Sequence, residues 1–210
     1  LNSIVPLERK IQAPHFMFSV LDHLKKEYGQ DALETEGYDV YTSIDLDLQK
    51  EAEAIVAEGV KKNLTRGASN GALVALTPKN GEIIAMVGSR DYFDTRIDGQ
   101  VNVAIEKRQP GSTFKPFAYA TAFTKGFTPE TRIYDVPINF GNDGTGTEYI
   151  PSNYDGRFRG LITMREALSQ SLNIPAVSTL YLAGIPDTIA LATALGITTL
   201  TEPSRYGLAL

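Results

Sequence analysis

The chain has 210 residues, of which 42% are hydrophobic and 21% are charged, a balance typical of a soluble globular protein. A formal net charge of −5 without a basic cluster argues against a nucleic-acid-binding surface. The absence of cysteine excludes thiol catalysis, disulfides and thiolate metal sites, and no apolar stretch approaches the ~18 residues that a membrane span needs.

Residues 1–37 are predicted to form a connector that precedes the main domain, which we place at 38–210. The chain starts at Leu1, with neither an initiator Met nor a signal sequence, so we expect it to be a soluble part of a longer protein. A short helix that stops at Gly29 is predicted inside the connector from the helical spacing of Phe16, Val20, Leu24 and Tyr28.

The two histidines of the chain, His15 and His23, both lie in this connector. A metal-binding or catalytic role is open to them, but isolated histidines are more often partly buried polar surface. A Ser-His-Asp triad is therefore not expected in the main domain.

The main domain is predicted to open with a strand and a helix. Residues 38–44 have the composition of a strand. Asp45 is a good N-cap, and the apolar spacing after it predicts a helix that extends to about Asn63. Asp45 and Asp47 could act as an acid and base pair, but acidic residues in a first turn more often complement the helix dipole.

Two continuous apolar runs follow at 72–76 and 83–87, and both are predicted to be buried strands. The residues between them, 77–81, include the Pro, Asn and Gly that favour a turn. We therefore predict a β-hairpin in the middle of a sheet, which serves as the scaffold for the residues downstream.

The most informative stretch is Gln-Pro-Gly-Ser-Thr-Phe-Lys-Pro-Phe at 109–117, in which Ser112 and Lys115 stand three residues apart after a Pro-Gly break. Both side chains are predicted to share one face of a starting helix, which ends near Gly126. A serine hydroxyl needs a base within hydrogen-bond reach to become a nucleophile, and a lysine of lowered pKa can be that base. Unpaired N–H groups at the helix start would stabilise negative charge on an acyl oxygen. Taken alone, however, the Ser-x-x-Lys spacing also occurs on solvated helix surfaces.

Residues 131–160 are predicted to be a long connection rich in Gly, Asn, Asp and Tyr. Its glycine-rich part, 141–146, precedes no helix and lacks the Gly-Lys-Ser/Thr ending of a phosphate loop. We interpret it as a plain loop.

Helices are predicted for the remainder of the chain. One opens at 163–168, is interrupted, and starts again at Pro175. A last helix is predicted from Pro186 to Leu195. Within the interruption, Ser171 and Asn173 are interpreted either as polar caps of the break or as functional residues.

Taken in order, these motifs resemble the transpeptidase domain of bifunctional, class A penicillin-binding proteins over nearly the whole chain. The resemblance is specific because several motifs match in sequence, although each short motif alone is weak. The matching segments are the strand and helix at 41–49, the hairpin at 72–88, the serine motif at 109–116, the segment at 151–156 and the Ser-x-Asn motif at 171–173.

The resemblance implies an α+β fold, a partial serine β-lactamase/penicillin-binding (D,D-peptidase) fold with an antiparallel hairpin packed by helices, a helical lobe, and the remaining sheet strands missing. It implies a peptidoglycan D,D-transpeptidase that acts on D-Ala-D-Ala stem peptides through an acyl-enzyme and is acylated by β-lactams. Ser112 would be the nucleophile and Lys115 its base. Ser171 would pass a proton to the departing D-alanine, and Asn173 would hold the substrate amide and the lysine amine. No cofactor or metal ion is implied.

The sequence departs from this pattern because the family's third motif, Lys-Thr/Ser-Gly, does not occur before Leu210. That motif would bring a second oxyanion donor, whose loss typically costs ~10²–10³ in rate, so this chain alone is expected to be nearly inactive. The resemblance also implies an extracytoplasmic parent with a membrane anchor and an upstream glycosyltransferase domain. An unpaired sheet edge predicts pairing with a second copy or with the rest of the domain.

Two other functions remain open at this point. A serine β-lactamase-like hydrolase would share the fold but would need a carboxylate that activates water. A non-catalytic muropeptide-binding or β-lactam-binding module, or a scaffold, would keep the fold without the chemistry.

Overall fold

The computed structural model describes residues 11–141, 147–202 and 206. The chain divides into two compact units, Leu1–Lys107 and Arg108–Leu210. The start of the predicted connector, 1–10, and most of the glycine-rich loop, 142–146, lie outside the described residues. The predicted domain boundary between residues 37 and 38 stays a prediction.

The described part of the first unit contains helices α1 (Pro14–Tyr28), α2 (Gln30–Thr35) and α3 (Leu46–Asn63). Helix α1 confirms the helix predicted in the connector, and it ends at Gly29, whose φ of 82° suits glycine. The sequence analysis does not predict α2. Helix α3 is confirmed, and the Asp45 carboxylate caps it by accepting hydrogen bonds from the N–H groups of Asp47 and Leu48.

The predicted hairpin is confirmed as strands β1 (Leu73–Leu76) and β2 (Ile83–Val87), which pair antiparallel. It does not lie in the middle of a larger sheet among the described residues, where these two strands form a sheet of their own. Strand β2 packs on α3 through one set of buried residues and on α1 through Met86. The prediction that β1 is also buried is wrong, because Val74 and Leu76 are 41% and 54% exposed. The face of β1 that carries Val74 and Leu76 is thus partly open among the described residues of this unit.

The predicted strand at 38–44 is not formed. In the described chain this segment reaches β2 through the Ser43 hydroxyl, which donates to the Ile83 carbonyl, and Asp45 N–H, next along the chain, donates to the Ile84 carbonyl. One backbone hydrogen bond does not build a ladder. The composition of a strand is present, but the pairing that would define one is absent.

The second unit holds the helices predicted from the serine motif onwards. A 3₁₀ turn, Gly111–Phe114, leads into the first of them, and two short strands lie between the first and second. The elements are α4 (Lys115–Thr124), β3 (Arg132–Asp135), β4 (Gly160–Thr163), α5 (Met164–Ser169), α6 (Asn173–Ala183) and α7 (Ile185–Ala194).

The long connection predicted at 131–160 requires a correction, because β3 lies inside it and pairs antiparallel with β4. Strand β3 alternates exposed and buried residues, with Ile133 and Asp135 turned inward, a period-2 pattern that its sequence already contained. Helix α6 begins at Asn173, two residues before the predicted restart at Pro175.

The core of the second unit lies where α4, the β3–β4 ladder and the α5–α6 break meet. Its buried members are Tyr119, Ile133, Ile162, Met164, Ala167, Leu172 and Ala176. In the part of the chain that the structure describes, no single helix is long and apolar enough to cross a membrane, and α6 and α7 reach that criterion only as a pair bent by 92°.

Candidate active site

Ser112 lies on the 3₁₀ turn that precedes α4, and its side chain is exposed. The turn begins at Gly111, whose φ of 53° lies in the left-handed region that glycine tolerates. Pro116 sits in the first turn of α4, where its missing N–H costs nothing. Among the described residues, neither the hydroxyl nor the N–H of Ser112 makes a hydrogen bond.

Lys115 is buried, with 2% of its surface exposed. Its Nζ donates to the Ser171 carbonyl at 2.6 Å, to Ser171 Oγ at 3.2 Å and to Asn173 Oδ1 at 2.7 Å. The lysine therefore joins the two motifs that the sequence analysis singled out. Within the described chain, no hydrogen bond links Lys115 to Ser112.

Burial changes how readily Lys115 loses its proton. Because removal from water penalises the ammonium form, the pKa of Lys115 is lowered from its ordinary value of 10.5. Accepting groups around Nζ would favour the charged form, but desolvation is the dominant cause of the shift. The amine is thus easier to deprotonate than a surface lysine, as a general base requires.

The α5–α6 break places Ser171 and Asn173 around this amine. The N–H of Ser171 donates to the Leu168 carbonyl and the N–H of Leu172 to the Ala167 carbonyl, which is the Schellman arrangement that closes a helix. In that arrangement the left-handed position usually holds glycine, yet here it holds Ser171 with a φ of 53°. Ser171 therefore holds a backbone conformation that is strained for a residue other than glycine.

Two residues to which the sequence analysis assigns no role complete the surroundings of Asn173. Asn153 Oδ1 accepts a hydrogen bond from the Asn173 N–H at 2.8 Å. Asn153 Nδ2 donates in turn to the two carboxylate oxygens of Asp135, at 2.8 and 3.0 Å. The alternation of residues in β3 could have indicated that Asp135 points inward, but the spacing gives no indication that Asn153 is its partner.

The two histidines belong to the first unit. His15 is buried and donates from Nε2 to the Gly99 carbonyl at 2.9 Å, and its pKa is lowered by burial. His23 is exposed. The expectation that neither histidine is catalytic stays a prediction.

Comparison with known proteins shows the family of this chain. The profile of the penicillin binding protein transpeptidase domain matches residues 71–200. The chain belongs to this family. Penicillin-binding protein 2D of Bacillus subtilis is 35% identical to it over 204 residues, which cover 93% of this chain and 28% of that protein.

Solved structures of penicillin-binding proteins show the same fold. Penicillin-binding protein 1A from Haemophilus influenzae matches 98% of this chain and 43% of its own, with a TM-score of 0.77 and 20% identity. The Mycobacterium tuberculosis PonA1 protein, solved in complex with penicillin V, matches 94% of this chain and 50% of its own, with a TM-score of 0.73 and 23% identity. The expected α+β fold, part of the transpeptidase fold, is thereby confirmed. The chain spans less than a third of the length of the Bacillus protein.

Proposed function

We propose that this chain carries the acylation site of a peptidoglycan D,D-transpeptidase. One observation carries the proposal: a buried lysine amine, three residues after an exposed serine, donates to both polar residues of the Ser-x-Asn motif. Membership of the penicillin-binding protein transpeptidase family supports it.

In the first step, Ser112 Oγ attacks the carbonyl carbon of the penultimate D-alanine in a stem peptide. The hydroxyl proton passes to the neutral amine of Lys115, and a tetrahedral oxyanion forms. The free N–H of Ser112, at the start of a helical segment, is available to that oxyanion.

Collapse of the tetrahedral species breaks the peptide bond and releases the terminal D-alanine. Its nitrogen needs a proton, and we assign this transfer to Ser171 Oγ, which lies 3.2 Å from Lys115 Nζ. The hydroxyl can do so because it donates and accepts at once. An amine of a second stem peptide then attacks the ester on Ser112, which forms the crosslink and frees the serine.

Asn173 serves this chemistry by holding the amine. Its Oδ1 accepts from Lys115 at 2.7 Å, while its Nδ2 donates to the Ser152 carbonyl at 2.8 Å. In this orientation the amide oxygen faces the lysine. We assign to Asn173 the additional role, expected from the family resemblance, of contacting the substrate amide.

We place full activity in the protein that also supplies the Lys-Thr/Ser-Gly motif, which these 210 residues do not contain. We propose that the parent is extracytoplasmic and membrane-anchored, with a glycosyltransferase domain upstream, and that its substrates are stem peptides and β-lactams. The exposed face and edge of β1 would be covered by the rest of the domain or by a second copy. A monomer in sedimentation that unfolds cooperatively would count against that pairing.

The alternatives make different predictions with penicillin. A transpeptidase holds the opened drug as a long-lived ester, a β-lactamase releases it in rapid turnover, and a binding module without chemistry forms no ester. We expect intact mass spectrometry of the full-length protein to show one persistent drug adduct. Rapid hydrolysis of penicillin would instead favour the β-lactamase, and reversible binding without an adduct would favour the binding module.

A further inference from the structure

We propose that Asn153, held by the buried carboxylate of Asp135, is a positioning residue that fixes Asn173 and, through it, the amine of Lys115. This inference rests on the proposed acylation function. It adds to the site two residues that touch neither the nucleophile nor its base.

Asn153 supplies a helix cap that α6 lacks in its own sequence. The N-cap of α6 is Leu172, which offers no side-chain acceptor. The first N–H groups of a helix have no partner inside the helix. Asn153 Oδ1 takes up the N–H of Asn173 at 2.8 Å, and the neighbouring Ser152 carbonyl takes up its side-chain Nδ2 at 2.8 Å. Both the backbone N–H and the side-chain amide of Asn173 therefore donate to the loop that contains Ser152 and Asn153.

Asp135 determines which way the Asn153 amide faces. The carboxylate has 0% exposure and accepts from Asn153 Nδ2 at 2.8 and 3.0 Å and from the Arg159 N–H at 2.9 Å. A flipped amide would put the Asn153 oxygen against these carboxylate oxygens and its nitrogen against the Asn173 N–H. Only the observed orientation pairs donors with acceptors throughout.

The β3–β4 ladder gives this support a rigid base. Asp135 is the last residue of β3 and pairs with Gly160 of β4. Asp135, on a strand, thus orients Asn153 in the loop, and Asn153 in turn holds Asn173, the first residue of α6. A buried carboxylate is costly to keep, and its retention here is explained by the orientation that it imposes next to the site.

A purely structural role for Asn153 would be to tie down its own loop, since Nδ2 also donates to the Arg157 carbonyl at 2.8 Å. The two roles predict different kinetics. If Asn153 only stabilises its loop, its removal lowers the amount or the stability of folded protein. If Asn153 also positions Asn173, its removal changes the rate and the pH midpoint of acylation in the molecules that remain folded.

The test is the second-order rate of acylation by a fluorescent penicillin, measured against pH on the full-length protein. We expect Asn153→Ala to lower this rate by about 10²-fold, the effect of misplacing a reacting group by about 1 Å, and to move its pH midpoint. Thr188→Val is the matched control, because the Thr188 hydroxyl is buried in α7 of the same unit and bonds to the Gly184 carbonyl. It should lower stability while leaving the rate and the midpoint unchanged.

Replacement of Asp135 provides a second test that does not depend on the alanine variant folding. The Asp135 carboxylate accepts from Asn153 Nδ2 and from the Arg159 N–H. Asp135→Asn leaves two N–H groups facing each other in every orientation of the two amides, so it should also slow acylation and move its pH midpoint.

The outcomes separate this inference from the function on which it rests. If penicillin labels the wild type and Ser112→Ala equally, the proposed function is wrong. If labelling depends on Ser112 but Asn153→Ala acylates at the wild-type rate and midpoint, only the positioning role is overturned. Acylation by Asp135→Asn at the wild-type rate and midpoint would also overturn it, because the carboxylate would then not set the orientation of Asn153.

Discussion

Replacing Lys115 by Met tests the role of its amine most sharply. Methionine keeps an unbranched side chain in a site that is 2% exposed, but it removes the donor to Ser171 and Asn173. A positioned general base contributes about 10²–10⁴ in rate. We therefore expect acylation by penicillin to fall by that factor, equivalent to about 3–5 kcal/mol in the activation free energy.

The pH dependence gives this prediction a signature of its own. Because burial lowers the pKa of Lys115 below 10.5, wild-type acylation should rise about tenfold per pH unit and level off before that value. Lys115→Met should lose the rising limb. The matched control is Lys125→Met in the same unit, because the Lys125 side chain is partly exposed and forms an ion pair with Asp187 at the surface. Its acylation profile should equal that of the wild type.

The stability of the folded protein should also depend on pH through Lys115. The folded protein releases the Lys115 proton more readily than the unfolded chain does, so the free energy of unfolding should rise with pH between the lowered pKa and 10.5. Lys115→Met should lose this increment and Lys125→Met should keep it. Acylation that is undiminished in Lys115→Met, or a wild-type limb still rising at pH 10.5, would refute the assignment of Lys115 as the base.

Two further variants test the helix break and the loop that follows β3. Ser171→Gly should raise the free energy of unfolding by about 1 kcal/mol, because glycine relieves the left-handed strain, and should slow acylation by about 10²-fold through loss of the proton donor. Ser171→Ala should slow acylation equally without raising the free energy of unfolding. Equal stability of the two variants would contradict the strain at Ser171. Arg159 holds the pKa of Asp155 down at about 2, so the stability from this pair is present above pH 3.8 and is lost as the pH falls towards 2. Asp155→Asn should flatten that part of the thermal stability profile, and an unchanged profile would argue against the pair.

Much of the fold follows from local signals. Helix α3 was predictable because Asp45 is a strong N-cap followed by regular apolar spacing. The hairpin was predictable because a turn that contains Pro78, Asn80 and Gly81 separates two apolar runs. The segment 38–44 misled the prediction because strand formation depends on a partner as well as on composition. Strand β3 was missed because four residues in a polar connection give a weak alternation signal.

The candidate site was predictable to a different extent. Ser112 and Lys115 are recognisable from their spacing, and Ser171 and Asn173 from their order after it, but their convergence is a tertiary result: Lys115 Nζ lies 2.7 Å from Asn173 Oδ1. The support from Asp135 could not be predicted, since hydrogen bonds between distant side chains leave no periodic pattern. The sequence therefore indicates the proposed reacting groups more directly than the residues that contact and orient them.

The central claim is that Ser112 is the nucleophile, and the most direct measurement is to digest the full-length protein after reaction with penicillin and locate the drug by tandem mass spectrometry. We predict that the drug is esterified to the peptide containing Ser112, at that residue, and that Ser112→Ala carries none. An adduct on any other residue, or an adduct that persists in Ser112→Ala, would contradict the account.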